Sequence, residues 1–209
     1  MSDSPPPGHV RLLGITGPIG CGKTALSRLL VQLGAREHID ADAVTHQLMR
    51  PGTALTAAIE EIFGPGVIQA DGSVNRLALG EVVFDDPVRL RALEGLVHPE
   101  VRAWIAARVD TLGSGGEDGV VVVEAIKLLQ SPLRDLATEI WVVTCSPEVQ
   151  RRRLVSDRGY TPEQVEARLR AQPDFAPGTG VRLIQNDGSP AELAGTVERE
   201  WNRFLAAET

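Results

Sequence analysis

Residues 17–24, with the sequence GPIGCGKT, combine residue types that can hold a phosphate group. Glycine reaches backbone angles closed to other residues, so a glycine-rich loop can turn successive N–H groups inward around an anion. Lys23 adds a mobile positive charge for the β- and γ-phosphates, and the Thr24 hydroxyl can ligate Mg²⁺. The spacing G-x-x-x-x-G-K-[ST] is that of the phosphate-binding P-loop and predicts a nucleoside triphosphate site. The phosphate contacts are assigned to Gly17, Pro18, Ile19, Gly20, Cys21, Gly22, Lys23, Thr24 and Ala25.

Two acidic residues lie in the segment Ile39-Asp40-Ala41-Asp42, directly after a short predicted strand. Ligands of open α/β sheets bind outside the carboxyl ends of the strands. A carboxylate there can orient an acceptor hydroxyl and take its proton during phosphoryl transfer. The alternative is that one of the two carboxylates caps the helix that begins near Ala43. The spacing alone leaves both roles open.

A basic segment, residues 146–172, stands out in a chain whose net charge is −7. It predicts two helices joined by a turn at Arg158-Gly159-Tyr160 and contains six arginines. Such a segment suits a mobile lid whose arginines close over a triphosphate and stabilise charge in the transition state. A solvated helix surface with Glu–Arg pairs accounts for most of these arginines equally well. Arg158, at the turn, is the one that we assign to catalysis.

Short apolar and β-branched stretches can position these residues. Four of them are each followed by a loop and a helical pattern, which predicts buried parallel strands in βα units. A weaker fifth strand is expected directly before Asp40. The predicted strands are Val10–Thr16, Ala35–Ile39, Val120–Ala125, Glu139–Cys145 and Val181–Gln185. The last helix is predicted to place Leu193, Val197, Trp201 and Leu205 on one apolar stripe.

These elements predict one α/β domain over residues 10–209, after a flexible leader at residues 1–9. We expect a three-layer P-loop kinase fold, in which helices flank a parallel sheet. Helical patterns separated by turns break the βα rhythm, so we also expect a helical acceptor-binding insertion and a helical lid. A further helix is expected to begin at Pro99. The expected bounds are about 10–50, 118–146 and 180–207 for the core, 51–117 for the insertion and 147–175 for the lid.

Composition excludes several classes of function. The net charge of −7 argues against binding of nucleic acid, which depends on Lys and Arg to neutralise phosphates. The chain has no apolar run of about 18 residues and no secretory signal pattern, so we expect a cytoplasmic protein without a membrane partner. Cys21 and Cys145 are far apart and lack the spacing of metal ligands, and they predict neither a disulfide framework nor a zinc site.

Several motifs, in the same order along the chain, resemble the dephospho-CoA kinase family, which catalyses the last step of coenzyme A biosynthesis. The resemblance runs from about Arg11 to Val197. It includes the P-loop and the IDAD segment described above. The further motifs are Asp71-Gly72, Asn75-Arg76-Leu77 with Leu79 and Phe84, Leu93-Glu94-Gly95-Leu96-Val97-His98-Pro99, the lid residues Gln150, Arg153, Arg158 and Gln172, and Asn186-Asp187-Gly188-Ser189.

The resemblance implies that ATP, with Mg²⁺, phosphorylates the 3′-hydroxyl of the ribose of dephospho-CoA to give coenzyme A and ADP. Asp42 would then act as base or orienter, Lys23 and Arg158 would stabilise charge, Thr24 would ligate Mg²⁺, and Asn186 would lie near the adenine. We expect a monomer or a weak homo-oligomer. The residues assigned to acceptor binding are Asp40, Asp42, Arg76, His98 and Lys127.

The chain also departs from the family pattern. Pro18 removes one N–H donor from the phosphate loop, Lys127 adds a charge, and Gln130 stands in place of an acid. Two alternatives therefore stay open. One is a different small-molecule or nucleotide kinase on the same fold. The other is a non-catalytic regulator that binds a nucleotide as a switch.

Overall fold

The computed structural model describes residues 8–173, 175 and 180–207, so residues 1–7 of the predicted leader lie outside the described residues. Within them the chain forms five strands, eight α-helices and three short 3₁₀ helices. The strands are β1 (Val10–Thr16), β2 (Glu37–Asp40), β3 (Gly119–Glu124), β4 (Glu139–Thr144) and β5 (Val181–Gln185). The α-helices are α1 (Lys23–Gln32), α2 (Ala41–Leu48), α3 (Ala54–Phe63), α4 (Arg76–Phe84), α5 (Pro87–Gly113), α6 (Pro147–Ser156), α7 (Pro162–Arg170) and α8 (Pro190–Ala206). The 3₁₀ helices are Pro65–Val67, Leu128–Gln130 and Pro132–Leu136.

The strands form one five-stranded parallel sheet in the order β2-β3-β1-β4-β5. The central strand β1 pairs on one side with β3, where Ile15 lies opposite Glu124. On its other side it pairs with β4, where Thr16 lies opposite Val142. This register brings the carboxyl ends of three strands to one edge of the sheet, where an open α/β fold binds its ligands. The predicted fold class is therefore confirmed.

The chain divides into two compact units. The first contains the described chain up to Ile39 and from Val109 onward, and the second contains Asp40–Arg108. The first unit holds the whole sheet except Asp40 at the end of β2, and α1 and α8 pack against the sheet. The indole nitrogen of Trp201 donates a hydrogen bond to the carbonyl oxygen of Leu33 at 3.0 Å, which links α8 to the end of α1. The core of this unit is apolar and includes Leu13, Ile15, Leu26, Leu30, Val122, Trp141, Val197 and Phe204.

The second unit is mainly helical and has a core of its own. It contains α2, α3, α4 and most of α5, and most of the predicted insertion at 51–117 falls within it. An isolated bridge between Ile68 and Val74 closes the turn-rich stretch between α3 and α4. Its buried core residues are Met49, Leu55, Ile59, Val67, Val74, Leu79 and Val83.

Two details of the predicted helices are wrong. The helix expected to begin at Pro99 begins at Pro87, and Pro99 lies inside it. Proline in a helix interior loses one backbone hydrogen bond, but apolar residues before Pro99, such as Leu93 and Val97, pack on the core of the second unit and outweigh this cost. In α8, Phe204 is buried, whereas Leu205 is 44% exposed. A helix has 3.6 residues per turn, so residues taken at steps of four turn gradually away from the buried face.

Candidate active site

The P-loop lies between β1 and α1, and two of its glycines are required by geometry. Gly17 has φ 139°, and a Cβ atom there would lie 2.2 Å from the carbonyl oxygen of Val143. Gly22 has φ 98°, and a Cβ atom there would lie 2.4 Å from Nδ2 of Asn186. Both values are far inside van der Waals contact, so no other residue fits at either position without movement of the loop.

The N-terminus of α1 is built to receive an anion. The helix begins at Lys23, and the capping residue Gly22 has no side chain with which to satisfy the first N–H groups. The Lys23 ammonium group donates hydrogen bonds to the carbonyl oxygens of Gly17 (2.8 Å) and Pro18 (3.1 Å). The helix terminus and the ammonium group therefore place positive potential at the phosphate loop.

Glu124, at the end of β3, is a residue of this site that the sequence analysis did not assign. Its side chain is buried, and Oε1 accepts a hydrogen bond from the Thr24 hydroxyl at 2.9 Å. Oε2 accepts from the Ser27 hydroxyl and lies against Nε2 of His38, both at 3.1 Å. Burial raises the pKa of Glu124, but the hydrogen bonds from His38, Thr24 and Ser27 and the charge of His38 hold it below its usual value. The signal available in the sequence was an acid directly after a run of four valines.

A cavity of about 400 Å³ opens beside the phosphate loop. Thr24 and Ala25 line it from α1, and Asn186 lines it from the loop after β5. The buried Asn186 amide donates to the carbonyl oxygen of Cys21 at 2.8 Å, so this loop also holds the P-loop in place. Arg158 lines the same cavity, so the structure brings it together with Gly20, Gly22 and Thr24. The volume is in the range of small-ligand sites.

Three of the other lid arginines have structural contacts, and one of them, Arg153, also lines the cavity with Arg158. Arg153 donates to the carbonyl oxygen of Asn186 at 2.9 Å and so orders the loop after β5. Arg151 pairs with Glu166 at 2.7 Å and ties α6 to α7. The Arg168 guanidinium lies 4.0 Å from the centre of the Tyr160 ring. These contacts agree with the interpretation that most arginines of the segment serve structure.

Two glutamines connect the lid segment to the phosphate loop. Gln172 accepts a hydrogen bond from the N–H of Ile19 at 2.8 Å, and Gln150 donates to the carbonyl oxygen of Ile19 at 2.7 Å. The two amides also bond to each other at 3.2 Å. The backbone of one P-loop residue is thus fixed on both its donor and its acceptor by side chains of the lid segment.

The structure overturns the expectation for the two cysteines, because Cys21 and Cys145 form a disulfide bond with a Cα–Cα distance of 5.3 Å. Cys21 lies in the loop after β1, and Cys145 directly follows β4, the strand beside β1 in the sheet. A sequence separation of 124 residues hides this proximity, which parallel pairing creates. The disulfide joins the phosphate loop covalently to the neighbouring βα unit.

Reduction of this disulfide is expected to lower the free energy of unfolding by about 2–5 kcal/mol, because a cross-link over so many residues restricts the unfolded chain. Urea unfolding with and without reductant measures the difference. The Cys145→Ser variant is the control, since reductant should leave its stability unchanged. Titration of free thiols checks that both cysteines are reduced in the reduced sample. Equal stability of the oxidised and reduced wild-type protein would contradict the prediction.

In the second unit, Asp40 and Asp42 have different surroundings. Oδ1 of Asp40 accepts hydrogen bonds from the N–H groups of Asp42 (2.9 Å) and Ala43 (3.2 Å), so Asp40 caps α2. Asp42, in the first turn of α2, lines a cavity of about 370 Å³. Arg76, from the start of α4, lines the same cavity, together with Thr45, His46, Met49, Leu79, Gly80 and Leu93. The structure thus brings Asp42 and Arg76 together.

His98 belongs to the second unit and Lys127 to the first. His98 is half-buried on α5 and is not among the described residues that line the cavity with Asp42. Lys127 is exposed and directly precedes the 3₁₀ helix Leu128–Gln130 in the first unit, three residues after Glu124. The structure does not add to the assignment of these two residues.

The donors available for Mg²⁺ near the phosphate loop are few. Among the described residues, no group of three or more His, Cys, Asp or Glu side chains could hold a metal ion. Mg²⁺ in phosphate-transfer sites is bound through one or two protein oxygens, the substrate phosphates and water. The Thr24 hydroxyl, held by the Glu124 carboxylate, offers oxygen donors of this kind. None of the helices within the described ranges is long and apolar enough to cross a membrane.

In comparisons with known proteins, this chain is similar to dephospho-CoA kinases. A family model described as dephospho-CoA kinase matches residues 11–189. The dephospho-CoA kinase of Symbiobacterium thermophilum is 41% identical over 201 residues, which is 95% of this chain and 83% of that protein. The dephospho-CoA kinase of Streptomyces avermitilis is 43% identical over 195 residues, covering 90% of this chain and 91% of the relative.

Solved structures share the fold of this chain. The crystal structure of TT1252 from Thermus thermophilus has a TM-score of 0.74 and 30% identity, and the match covers 96% of this chain and 99% of that one. A dephospho-CoA kinase from Campylobacter jejuni has a TM-score of 0.63 at 22% identity, covering 93% and 97% of the two chains. Shikimate kinase from Acinetobacter baumannii shares the fold, with a TM-score of 0.52 at 17% identity over 95% of this chain and 96% of that one.

Proposed function

The chain belongs to the dephospho-CoA kinase family, and we propose that it transfers the γ-phosphoryl group of ATP to the 3′-hydroxyl of the ribose of dephospho-CoA. The products are coenzyme A and ADP. The observation that carries the proposal is the phosphate loop with Lys23 and with Thr24 bonded to Glu124, in a chain whose family match spans residues 11–189. The two alternatives, a kinase for another acceptor and a non-catalytic regulator, are not favoured.

The first unit supplies the nucleotide site. The triphosphate binds on the P-loop N–H groups and the N-terminus of α1, and Lys23 places its charge at the β- and γ-phosphates. The nucleoside occupies the cavity of about 400 Å³ lined by Ala25 and Asn186. Arg158, from the same cavity, moves over the phosphates when the lid closes and stabilises the charge that develops during transfer.

Mg²⁺ fits the donors present in this site. Thr24 would hold the ion directly, and Glu124 would hold its hydration shell while accepting a hydrogen bond from the Thr24 hydroxyl. The chemistry that the ion would supply there is neutralisation of the negative charge of the β- and γ-phosphates. Positioning and electrostatic stabilisation therefore account for the nucleotide half of the reaction.

The second unit supplies the acceptor site. Asp42 orients the 3′-hydroxyl and takes its proton as transfer proceeds. Arg76, which lines the same cavity, binds a phosphate of the acceptor. Asp40 supports Asp42 by capping the helix on which it stands. His98 and Lys127 are further acceptor contacts in this proposal.

The proposal also covers the cellular location and the oligomeric state of the protein. The enzyme acts in the cytoplasm on two small-molecule substrates, as a monomer or a weak homo-oligomer. The cytoplasm keeps most protein thiols reduced. The redox state of the Cys21–Cys145 pair in the cell therefore tests the proposed location. Thiol trapping at the moment of lysis should find the pair largely reduced, and a fully oxidised pair would argue against a cytoplasmic site of action.

The function is tested by ADP release in the presence of MgATP. Dephospho-CoA, AMP, CMP and adenosine are compared as acceptors with a reaction that has none, and coenzyme A is identified as the product. Turnover with dephospho-CoA alone supports the proposal. Faster turnover with another acceptor identifies a different kinase, and ATP binding without acceptor-dependent ADP release identifies a regulator.

Arg158→Ala is expected to lower kcat by about tenfold to 10³-fold, because the variant lacks a cation that stabilises the transferring phosphoryl group. The KM for dephospho-CoA should change little. Arg152→Ala is the matched control, since Arg152 is an exposed arginine of α6 in the same segment. Equal rates for the two variants would remove Arg158 from the mechanism.

A further inference from the structure

The two oxygens of the Glu124 carboxylate differ in the number of their hydrogen-bond partners. Oε1 accepts one bond, from Thr24, whereas Oε2 is shared by Ser27 and His38. An ionised carboxylate only accepts hydrogen bonds, and each of its oxygens has about two acceptor sites. His38 therefore donates from Nε2, Oε2 is fully used, and Oε1 keeps one site beside the Thr24 hydroxyl.

We propose that His38 is a positioning residue for Mg²⁺, which acts by holding Oε2 of Glu124 so that Oε1 faces Thr24 and the hydration shell of the ion. The inference rests on the proposed function, because that function supplies the ion. His38 would touch neither the ion nor a substrate.

The placement of His38 explains why one more anchor is needed. The terminal torsion of a glutamate side chain is broad, and the other two donors to Glu124, Thr24 and Ser27, both stand on α1. Ser27 reaches Oε2 from α1, and His38 reaches it from β2, the strand beside β3. Two donors from two different elements fix the plane of a side chain that lies at the end of a third element.

Loss of His38 would also leave the buried carboxylate with one donor fewer to offset its desolvation. The group would then be free to rotate, and rotation moves negative charge away from the position of Oε1 beside Thr24. Residues that orient metal ligands typically change metal affinity by about 10- to 100-fold when they are replaced. We therefore expect a measurable loss of metal affinity rather than a loss of nucleotide affinity.

The experiment is calorimetric titration of ADP into the full chain, once with Mg²⁺ and once with EDTA. The ratio of the two dissociation constants measures how much the metal tightens nucleotide binding. His38→Leu should lower this ratio about tenfold and leave the constant in EDTA unchanged. His38→Gln should restore most of the ratio, because its amide N–H can donate to Oε2. His9→Gln, at an exposed histidine of the same unit, is the control.

Three outcomes would overturn the proposal. The ratio could stay unchanged in His38→Leu, His38→Gln could be as weak as His38→Leu, or the affinity in EDTA could fall equally, which would indicate a purely structural role. If His38→Leu does not fold, Ser27→Ala removes the other donor to Oε2 and must lower the ratio by a similar factor. The titrations contain no acceptor, so failure of the wild-type protein to phosphorylate dephospho-CoA would count against the proposed function alone.

Discussion

Replacement of Asp42 by asparagine is expected to lower kcat for dephospho-CoA by about 10²- to 10⁴-fold, the usual contribution of a positioned general base. Asparagine keeps the shape of the side chain in the first turn of α2 but cannot take the proton of the acceptor hydroxyl. Nucleotide binding should be unchanged, because Asp42 acts on the acceptor hydroxyl in the proposed reaction. Single-turnover rates with saturating MgATP and dephospho-CoA measure the effect.

The matched control for Asp42 is Glu60→Gln, which neutralises an exposed carboxylate on α3 of the same unit. This variant should keep wild-type turnover. Circular dichroism of both variants checks that the helices of the unit are intact. An Asp42→Asn enzyme with near-normal turnover would show that neither proton removal nor orientation of the hydroxyl depends on this carboxylate.

Replacement of Lys23 by alanine is expected to lower kcat by about 10²- to 10³-fold, a typical cost of removing one preorganised charge-stabilising donor. The variant lacks the ammonium group at the transferring phosphoryl group. It also lacks the bonds from that ammonium group to the carbonyl oxygens of Gly17 and Pro18. We therefore expect ATP affinity to fall as well, so kcat/KM for ATP should decrease more than kcat.

Arg28→Ala is the comparison for Lys23, since it removes a cation from the exposed face of α1. Initial rates over a range of ATP concentrations separate the two variants. Wild-type kinetic constants in Lys23→Ala would mean that the phosphate loop works through its backbone N–H groups alone.

The strands and the phosphate loop were predictable because they depend on local patterns. β1 and β5 have the predicted bounds, and the other three strands differ by at most two residues at either end. The P-loop motif fixes the residues between β1 and α1, and their identity as a phosphate site follows from residue type and spacing. The role of Asp40 as a cap was among the alternatives that the sequence left open.

Other features were not predictable, because they depend on contacts between distant elements. Glu124 gains its role only when Thr24, Ser27 and His38 meet around it from α1 and β2. The Cys21–Cys145 bond arises from the adjacency of β1 and β4. In both cases the pairing of parallel strands, rather than any local pattern, supplies the proximity.

The Cys21–Cys145 bond makes residues 21–145 a covalent ring, and the whole second unit, Asp40–Arg108, lies within that ring. A single backbone cut in the second unit would therefore leave two polypeptides that remain one molecule. On a gel the cut protein would migrate as one species without reductant and as two fragments with it. The backbone of the second unit can thus be cut at a surface turn while the oxidised protein remains one covalent molecule.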